Sequence, residues 1–361
     1  MFKILGPLVL AFIIVLLGTP LVKKLALKVK ALDRPDPRKV HNGTMPRLGG
    51  LAICFGFWAA MLLTQELTKP FIGVLLGGLI IVIVGFADDT KGVSPKIKLL
   101  GQSIAAIVTM LWGVRVDFLT NPIAEGVISL ELLGFDFLSY VVTVFWIVGV
   151  TNAVNLIDGL DGLAAGVSAI AAVTLGIVAM LEGHPAVASM SFILAASSLG
   201  FLKYNFHPAK IFMGDTGSMF LGFNLASIAI LSFTKSATVV SLFLPIVILG
   251  IPLADTLFAI IRRYTSGKPI FAADKDHLHH RLLALGLSHK NTVLAIYGVS
   301  TVLGISAIIA TLATTPQGFI IMIATVVVSL YAADKIGLLR SSDFKVQKSR
   351  HDKESYQNVA K

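Results

Sequence analysis

Long apolar windows separated by short polar stretches run along the whole chain. They cover approximately residues 4–22, 48–63, 71–86, 97–114, 138–150, 163–181, 186–202, 218–233, 239–261, 293–312 and 319–332. A helix crossing a hydrocarbon core of about 30 Å needs about 20 apolar residues, and a somewhat shorter run spans by thinning the bilayer or snorkelling. The pattern predicts an all-α fold: a polytopic membrane helical bundle of about eleven transmembrane helices. The first window is not a cleavable signal, because its positive cluster (Lys23, Lys24, Lys28, Lys30) follows the apolar run instead of preceding it. Basic residues then fix the orientation. Segments 23–47, 88–98, 203–216, 261–292 and 334–361 hold 26 of the 30 Lys and Arg; the other four are Lys3, Lys69, Arg115 and Lys235. Cytoplasmic loops carry such an excess, so the topology expected is N-out and C-in. Residues 1–333 read as one transmembrane domain, and 334–361 as a polar cytoplasmic tail.

Composition agrees with this class. The chain is 55% hydrophobic and 14% charged, with a mean hydropathy of +0.85, whereas soluble domains are about a quarter charged. The net charge of +10 follows from the loop bias, so a nucleic-acid partner is not expected. The one cysteine, Cys54, excludes an internal disulfide.

Polar clusters interrupt the apolar pattern, all on the side expected to face the cytoplasm. The densest is Asn152 to Gly162, Asn-Ala-Val-Asn-Leu-Ile-Asp-Gly-Leu-Asp-Gly. On a helix, Asn155, Asp158 and Asp161 are spaced three apart and share one face. A charged side chain at the centre of a membrane helix costs about 2.5–3.5 kcal/mol or more, so such acids belong near the membrane surface, in a wet cavity or on a cation; a solvated helix end is the bland alternative. Asp88-Asp89 ends another window, with Lys98 ten residues on. Adjacent carboxylates repel, and acids at a helix C-terminus oppose the macrodipole; a Mg²⁺ would remove both objections. Asp215, between Gly214 and Gly217, either caps a helix or lets a ligand approach the backbone. Asn205 and His207 precede it. Arg38, Lys39, His41 and Arg47 form a first basic loop that fits an anionic headgroup. His277, His279, His280 and Arg281 form a last one, which suits phosphate or sugar better than zinc, there being no cysteine partner. Asp255 is expected to pair with Arg262, seven residues along its helix. Carboxylates, bases and glycines on one membrane face suit a metal-bridged phosphate reaction with a lipid partner.

Five motifs in order resemble one family. They are Arg38-Lys39-Val40-His41 with Pro46-Arg47-Leu48-Gly49-Gly50; Asp88-Asp89; Asn152 to Gly162; Asn205-Phe206-His207-Pro208-Ala209 with Phe212-Met213-Gly214-Asp215; and His277-Leu278-His279-His280-Arg281. Over residues 33 to 290 the chain resembles the polyprenyl-phosphate N-acetylhexosamine-1-phosphate transferases, and most of all their WecA/TagO-like branch, since Leu278 interrupts a histidine run that is continuous in the MurNAc-pentapeptide branch. The resemblance implies transfer of GlcNAc-1-phosphate from UDP-GlcNAc to undecaprenyl phosphate in the cytoplasmic membrane, with Mg²⁺ or alternatively Mn²⁺. It implies Asp88 and Asp89 as catalytic acids, Asp88 being the candidate base. Asp215, with Asn155 and Asp158, would hold the metal. Lys98, Asp161, Asn205, His277, His279, His280, Arg281, Arg38, Lys39, His41 and Arg47 would bind substrates. A homodimer is compatible with it.

Three other readings compete. An ion-coupled transporter predicts acids near the midplane and an internal repeat, neither of which is seen. A CDP-alcohol phosphotransferase requires arginine where Ala165 stands. A non-catalytic scaffold leaves the acid clusters idle.

Overall fold

The computed structural model describes residues 2–33, 43–116, 118–120, 127–129, 136–233, 239–265, 267 and 277–335. Every apolar window becomes helix. The helices are α1 (Phe2–Lys28), α2 (Gly50–Thr64), α3 (Lys69–Lys91), α4 (Pro95–Leu111), α5 (Phe137–Leu156), α6 (Leu163–Leu181), α7 (Pro185–Asn205), α8 (Gly214–Phe233), α9 (Val239–Ile248), α10 (Gly250–Thr265), α11 (Leu278–Ala284), α12 (His289–Leu312) and α13 (Thr315–Lys335). Two short antiparallel ribbons complete the described fold: β1 (Leu32–Asp33) with β2 (Met45–Pro46), and β3 (Phe118–Thr120) with β4 (Val127–Ser129). Among the described residues, seven helices are long and apolar enough to cross a membrane: α1, α3, α5, α6, α7, α12 and α13. The chain is an all-α membrane bundle.

The ninth window differs from a single span. It breaks at Leu249 into α9 and α10. Pro252 has no N–H for the Ile248 carbonyl four residues back, so the ladder is interrupted there. The residue pattern hides this, because the window is apolar on both sides of the break.

Helix α8 is the centre of the bundle and packs against α2, α3, α5, α6 and α7. Its Met219, Phe220, Leu221, Phe223, Leu225 and Ala226 are all fully buried, as expected of a helix apolar on every side. Phe220 meets Phe57 and Trp58 of α2 edge-to-face, with ring centroids 5.7 and 5.6 Å apart. Glycines bring the backbones together at the start of α8. A Cβ on Gly50 would lie 2.1 Å from the Gly217 nitrogen, and one on Gly85 would lie 2.5 Å from the Thr216 Cα. Any larger residue at either place would push α2 or α3 off α8. Bulky residues on α1, α12 and α13, such as Leu17, Val302 and Val328, point outward and suit contact with lipid.

Candidate active site

Helix ends gather on one face of the bundle: the C-termini of α3, α5 and α7, and the N-termini of α4, α6 and α8. The segment before α2 joins them. Gly49 N and Gly50 N donate to the Phe212 and Met213 carbonyls (2.9 Å each), and Phe212 N donates to the Pro46 carbonyl at 2.8 Å. The first and fourth sequence clusters are thereby laced together.

Asp88 and Asp89 have separate surroundings. Asp89 is buried and its two oxygens accept three hydrogen bonds from the first turn of α8: Asp215 N at 2.9 Å, Thr216 N at 3.0 Å and Thr216 Oγ1 at 2.6 Å. It acts as the N-cap of a helix more than a hundred residues away, where its charge opposes the positive end of the macrodipole. Gly214, at φ +71°, is required by this cap, because a Cβ there would lie 2.6 Å from the Asp89 carboxylate. Asp88 turns the other way. Its Oδ1 accepts from Val93 N at 2.7 Å, and its Oδ2 lies 2.8 Å from the Lys98 ammonium, which also contacts Asp215.

The electrostatic objections to an acid pair at the end of α3 are met by the protein itself. Arg47 donates from Nε to the Asp89 carbonyl and from Nη2 to the Asp88 carbonyl, both at 3.1 Å. A guanidinium on the last carbonyls offsets the negative end of α3. A cation is therefore not needed to explain why the pair is tolerated, and Arg47, expected to meet a headgroup, is bonded to the end of α3.

The Asn152 to Gly162 stretch corrects the helical reading. Helix α5 ends at Leu156, so Asn155 is helical but Asp158 and Asp161 sit in a turn, and the three do not share a helical face. The turn closes at Gly162, whose φ of +80° is a conformation that favours glycine. Its N–H donates to Asn205 Oδ1 (3.1 Å), and its carbonyl accepts from Tyr297 Oη (2.5 Å) on α12. Asn205 also donates to the Ile211 carbonyl at 3.1 Å. It is buried beneath the turn, where it holds backbone instead of lining an open cavity. Asn155 donates to Ser218 Oγ at 2.8 Å. Asp161 Oδ2 accepts from Ala209 N at 3.0 Å and lies 2.9 Å from His207 Nδ1. Part of Asp158 remains accessible, but its carboxyl is surrounded by protein. That burial, with the charges of Asp215, Asp89 and Asp161 adding to it, pushes its pKa up to about 8.

Acidic oxygens of Asp88, Asp89 and Asp215 lie within 4.8 Å of one another. This all-oxygen donor set fits a hard divalent cation such as Mg²⁺. Asp161, His207 and His289 form a second group at the same spacing.

The histidine segment closes the site. His279 is buried and abuts the turn: a Cβ on Gly159 would lie 2.4 Å from its Nε2. Burial, with His280 next in effect, pulls its pKa down to about 3, so the ring is neutral at physiological pH. His277 and His279 have parallel rings 5.9 Å apart, and His279 and His280 lie 4.3 Å apart. Asp255 pairs with His277, not in the way expected with Arg262: Oδ2 is 2.8 Å from His277 Nδ1, and Oδ1 accepts from Leu278 N at 2.7 Å. Arg38, Lys39 and His41 lie outside the described residues. Sequence reasoning missed Gln102 and Tyr297. Gln102 on α4 and Asn152 on α5 form a carboxamide pair, with Asn152 Nδ2 donating at 2.6 Å; a lone amide inside the apolar window 97–114 is the signal that was available.

Comparison with known proteins decides the family. The chain is 44% identical over 340 residues, 94% of each chain, to a protein of Bacillus subtilis (strain 168) named probable undecaprenyl-phosphate N-acetylglucosaminyl 1-phosphate transferase. The chain belongs to the polyprenyl-phosphate N-acetylhexosamine-1-phosphate transferase family. The glycosyl transferase family 4 model matches residues 71–233 of this transferase. That stretch holds both acids of α3, Lys98, the turn before α6, Asn205, His207 and Asp215, whereas Arg47 and the segment His277 to Arg281 lie beyond it. A decaprenyl-phosphate N-acetylglucosaminephosphotransferase of Mycobacterium leprae (strain TN) is 39% identical over 318 residues, 80% of this chain and 78% of that protein. A phospho-N-acetylmuramoyl-pentapeptide-transferase of Desulforudis audaxviator (strain MP104C) is 33% identical over 328 residues, covering 84% and 92%. The two GlcNAc-named relatives above, at 44% and 39%, are more similar to the chain than this pentapeptide transferase, in agreement with the branch that the interrupted histidine run suggested.

Proposed function

We propose that the protein transfers GlcNAc-1-phosphate from UDP-GlcNAc to undecaprenyl phosphate, giving undecaprenyl-diphospho-GlcNAc and UMP. The observation that carries this is the convergence of Asp88, Asp215 and Asp158 around Lys98 and the turn before α6, within a lipid-facing bundle. The GlcNAc-named relatives choose the donor. A phosphate oxygen of the lipid bonds to the β-phosphorus of the donor; the bond from that phosphorus to the bridging oxygen breaks, and UMP leaves with the electron pair.

Asp88, fixed by Val93 N and Lys98, takes the proton of the lipid phosphate. Lys98 offsets charge between the reacting phosphates. Of the three clustered acids, Asp88 is held by Val93 N and Lys98 and Asp89 by the start of α8, so Asp215 is the one we assign to the metal; with Asp158 and Asn155 it would hold Mg²⁺, or Mn²⁺ in its place, which when bound would neutralise the diphosphate. Asp89 places Asp215 by capping α8. Asp161 and the turn face the nucleotide, with Asn205 as their support, and His277, His279, His280 and Arg281 cover the sugar and phosphates. Arg38, Lys39 and His41 are our candidates for binding the anionic lipid headgroup, on their charge and sequence alone.

The one-sided gathering of helix ends and the basic-residue bias both support eleven spans with N-out, C-in topology and a site facing the cytoplasm. Residues 1–333 form the catalytic domain, and 334–361 the tail. The product lipid would start a cell-envelope polysaccharide. The test is transfer by purified protein in detergent, with undecaprenyl phosphate and a panel of UDP-sugars. Product from UDP-GlcNAc supports the proposal; product only from UDP-MurNAc-pentapeptide, or none, overturns it.

A further inference from the structure

Asp255 lies in α10, and the transfer mechanism gives it no task. It is 6% exposed, as is His277, and the two are 22 positions apart in the chain. A carboxylate is costly to bury unless its lone pairs are satisfied. Both oxygens of Asp255 are turned to one place, the start of the histidine segment. Oδ1 takes the Leu278 N–H at 2.7 Å and Oδ2 takes His277 Nδ1 at 2.8 Å. A carboxylate only accepts, so the hydrogen of this bond belongs to Nδ1; of the two tautomers of the ring, the pairing selects the one with its lone pair on Nε2. The ring so fixed lies parallel to His279, and His279 abuts Gly159 in the turn that carries Asp158 and Asp161. A line of packed groups thus runs from α10 to the nucleotide side of the site.

We infer that Asp255 is a positioning residue for the transfer reaction: it sets the tautomer of His277 and holds the histidine segment against the turn. The inference rests on the transfer reading for its kinetic consequence but not for its geometry. Asp255→Asn is the informative change. The Leu278 N–H demands the amide oxygen, which leaves the NH₂ facing Nδ1. His277 must then present its lone pair at Nδ1 and move its hydrogen to Nε2. Partners that orient a functional imidazole in this manner typically matter by about 10–100-fold.

The experiment has two arms. In the first, ¹⁵N-histidine NMR of the purified full-length protein, with His277→Gln used to assign the signal, reads the tautomer. The expected result is Nδ1–H in the unsubstituted protein and Nε2–H in Asp255→Asn; Nε2–H in the unsubstituted protein overturns the inference. In the second, kcat/KM for UDP-GlcNAc is measured for Asp255→Asn, His277→Ala and the double variant. A loss of about 10–100-fold on Asp255→Asn, with no further loss when it is added to His277→Ala, supports action through His277. A loss under twofold, or the same fractional loss in both backgrounds, overturns it. If the unsubstituted protein transferred nothing, the function proposed above would fall while the NMR arm still decided the geometry. If Asp255→Asn failed to fold, the tautomer in the unsubstituted protein would decide it.

Discussion

The unequal surroundings of Asp88 and Asp89 predict that the two amide substitutions fail in different ways. In Asp89→Asn the amide oxygen does best on the side of Thr216, where it keeps the N–H at 3.0 Å and the hydroxyl at 2.6 Å. The NH₂ then faces Asp215 N, a donor against a donor in place of the 2.9 Å bond. Losing a hydrogen bond to a charged group costs about 1.5–3 kcal/mol, and losing the anion at the α8 N-terminus costs about 0.3–1 kcal/mol more. Removing a buried charge returns part of this, so the net destabilisation is about 1–3 kcal/mol. At roughly 2–4 °C per kcal/mol for domains of 150–250 residues, Asp89→Asn should unfold several degrees early in detergent. Asp89→Ala, with three donors left bare, should unfold earlier still. Asp88→Asn keeps an acceptor for Val93 N but turns its NH₂ to the Lys98 ammonium, which keeps Asp215 as a partner, so it should unfold less early than Asp89→Asn, while transfer falls at least about a hundredfold. The assay pairs thermal unfolding with transfer measured per folded protein. If Asp89→Asn unfolded at the unsubstituted temperature yet transferred nothing, its charge would serve the chemistry, and the capping role would be refuted.

Four further outcomes are expected. Transfer should need Mg²⁺ or Mn²⁺ and stop with EDTA; rescue by zinc in preference to magnesium would contradict an all-oxygen site. Asp158, with its pKa pushed up to about 8, holds a proton at neutral pH, so Mg²⁺ binding should release it and tighten as pH rises from 6 to 8; calorimetry in buffers of different ionisation enthalpy reads the proton, and a pH-independent affinity would be the contrary result. His279, with its pKa pulled down to about 3, is neutral when folded but takes up a proton below about pH 6.5 when unfolded. Its contribution to stability is therefore present above pH 6.5 and lost as pH falls towards 3; His279→Gln should show a shallower acid loss in thermal unfolding, and an identical profile would remove His279 from that role. Cysteines at Lys91, Lys210 and His289, with Cys54→Ala, should resist an impermeant thiol reagent in intact cells while one at Glu125 reacts; equal labelling of Lys210 and Glu125 would break the shared cytoplasmic face.

Helical content was legible because apolar windows of this length have few alternatives in a bilayer. What the windows hide is local chemistry within them. Pro252 splits one window through a missing N–H that average hydropathy does not register. The phase of Asn155, Asp158 and Asp161 misled because helix spacing was extended past Leu156, where α5 ends, and across Gly159 in the turn. The acids themselves stood out, since each is anomalous beside apolar neighbours. Their division of labour did not, because the group that distinguishes Asp89 from Asp88 is the start of a helix 126 positions on. Asp255 was paired with Arg262 by helical spacing, when its partner lies across a loop. Spacing along one element finds neighbours on that element only. Asp89, Asn205 and Asp255 each reach to another.

The glycine contacts at the head of α8 have a consequence for anyone who would retune the enzyme. With Gly50 against Gly217, and Gly85 against Thr216, the place of Asp215 is fixed by main chain on main chain. No rotamer change moves it, and no side-chain swap there is gentle, since any added carbon meets backbone. That wall is the fixed jaw of a vice. The opposite jaw is the turn before α6 and the histidine segment, joined through the side chains of Asn205, Tyr297, His279 and Asp255. Libraries aimed at a new sugar donor belong on the second jaw, where a longer or shorter side chain shifts the gap by fractions of an ångström. The first jaw gives the chemistry a constant point from which that gap is measured.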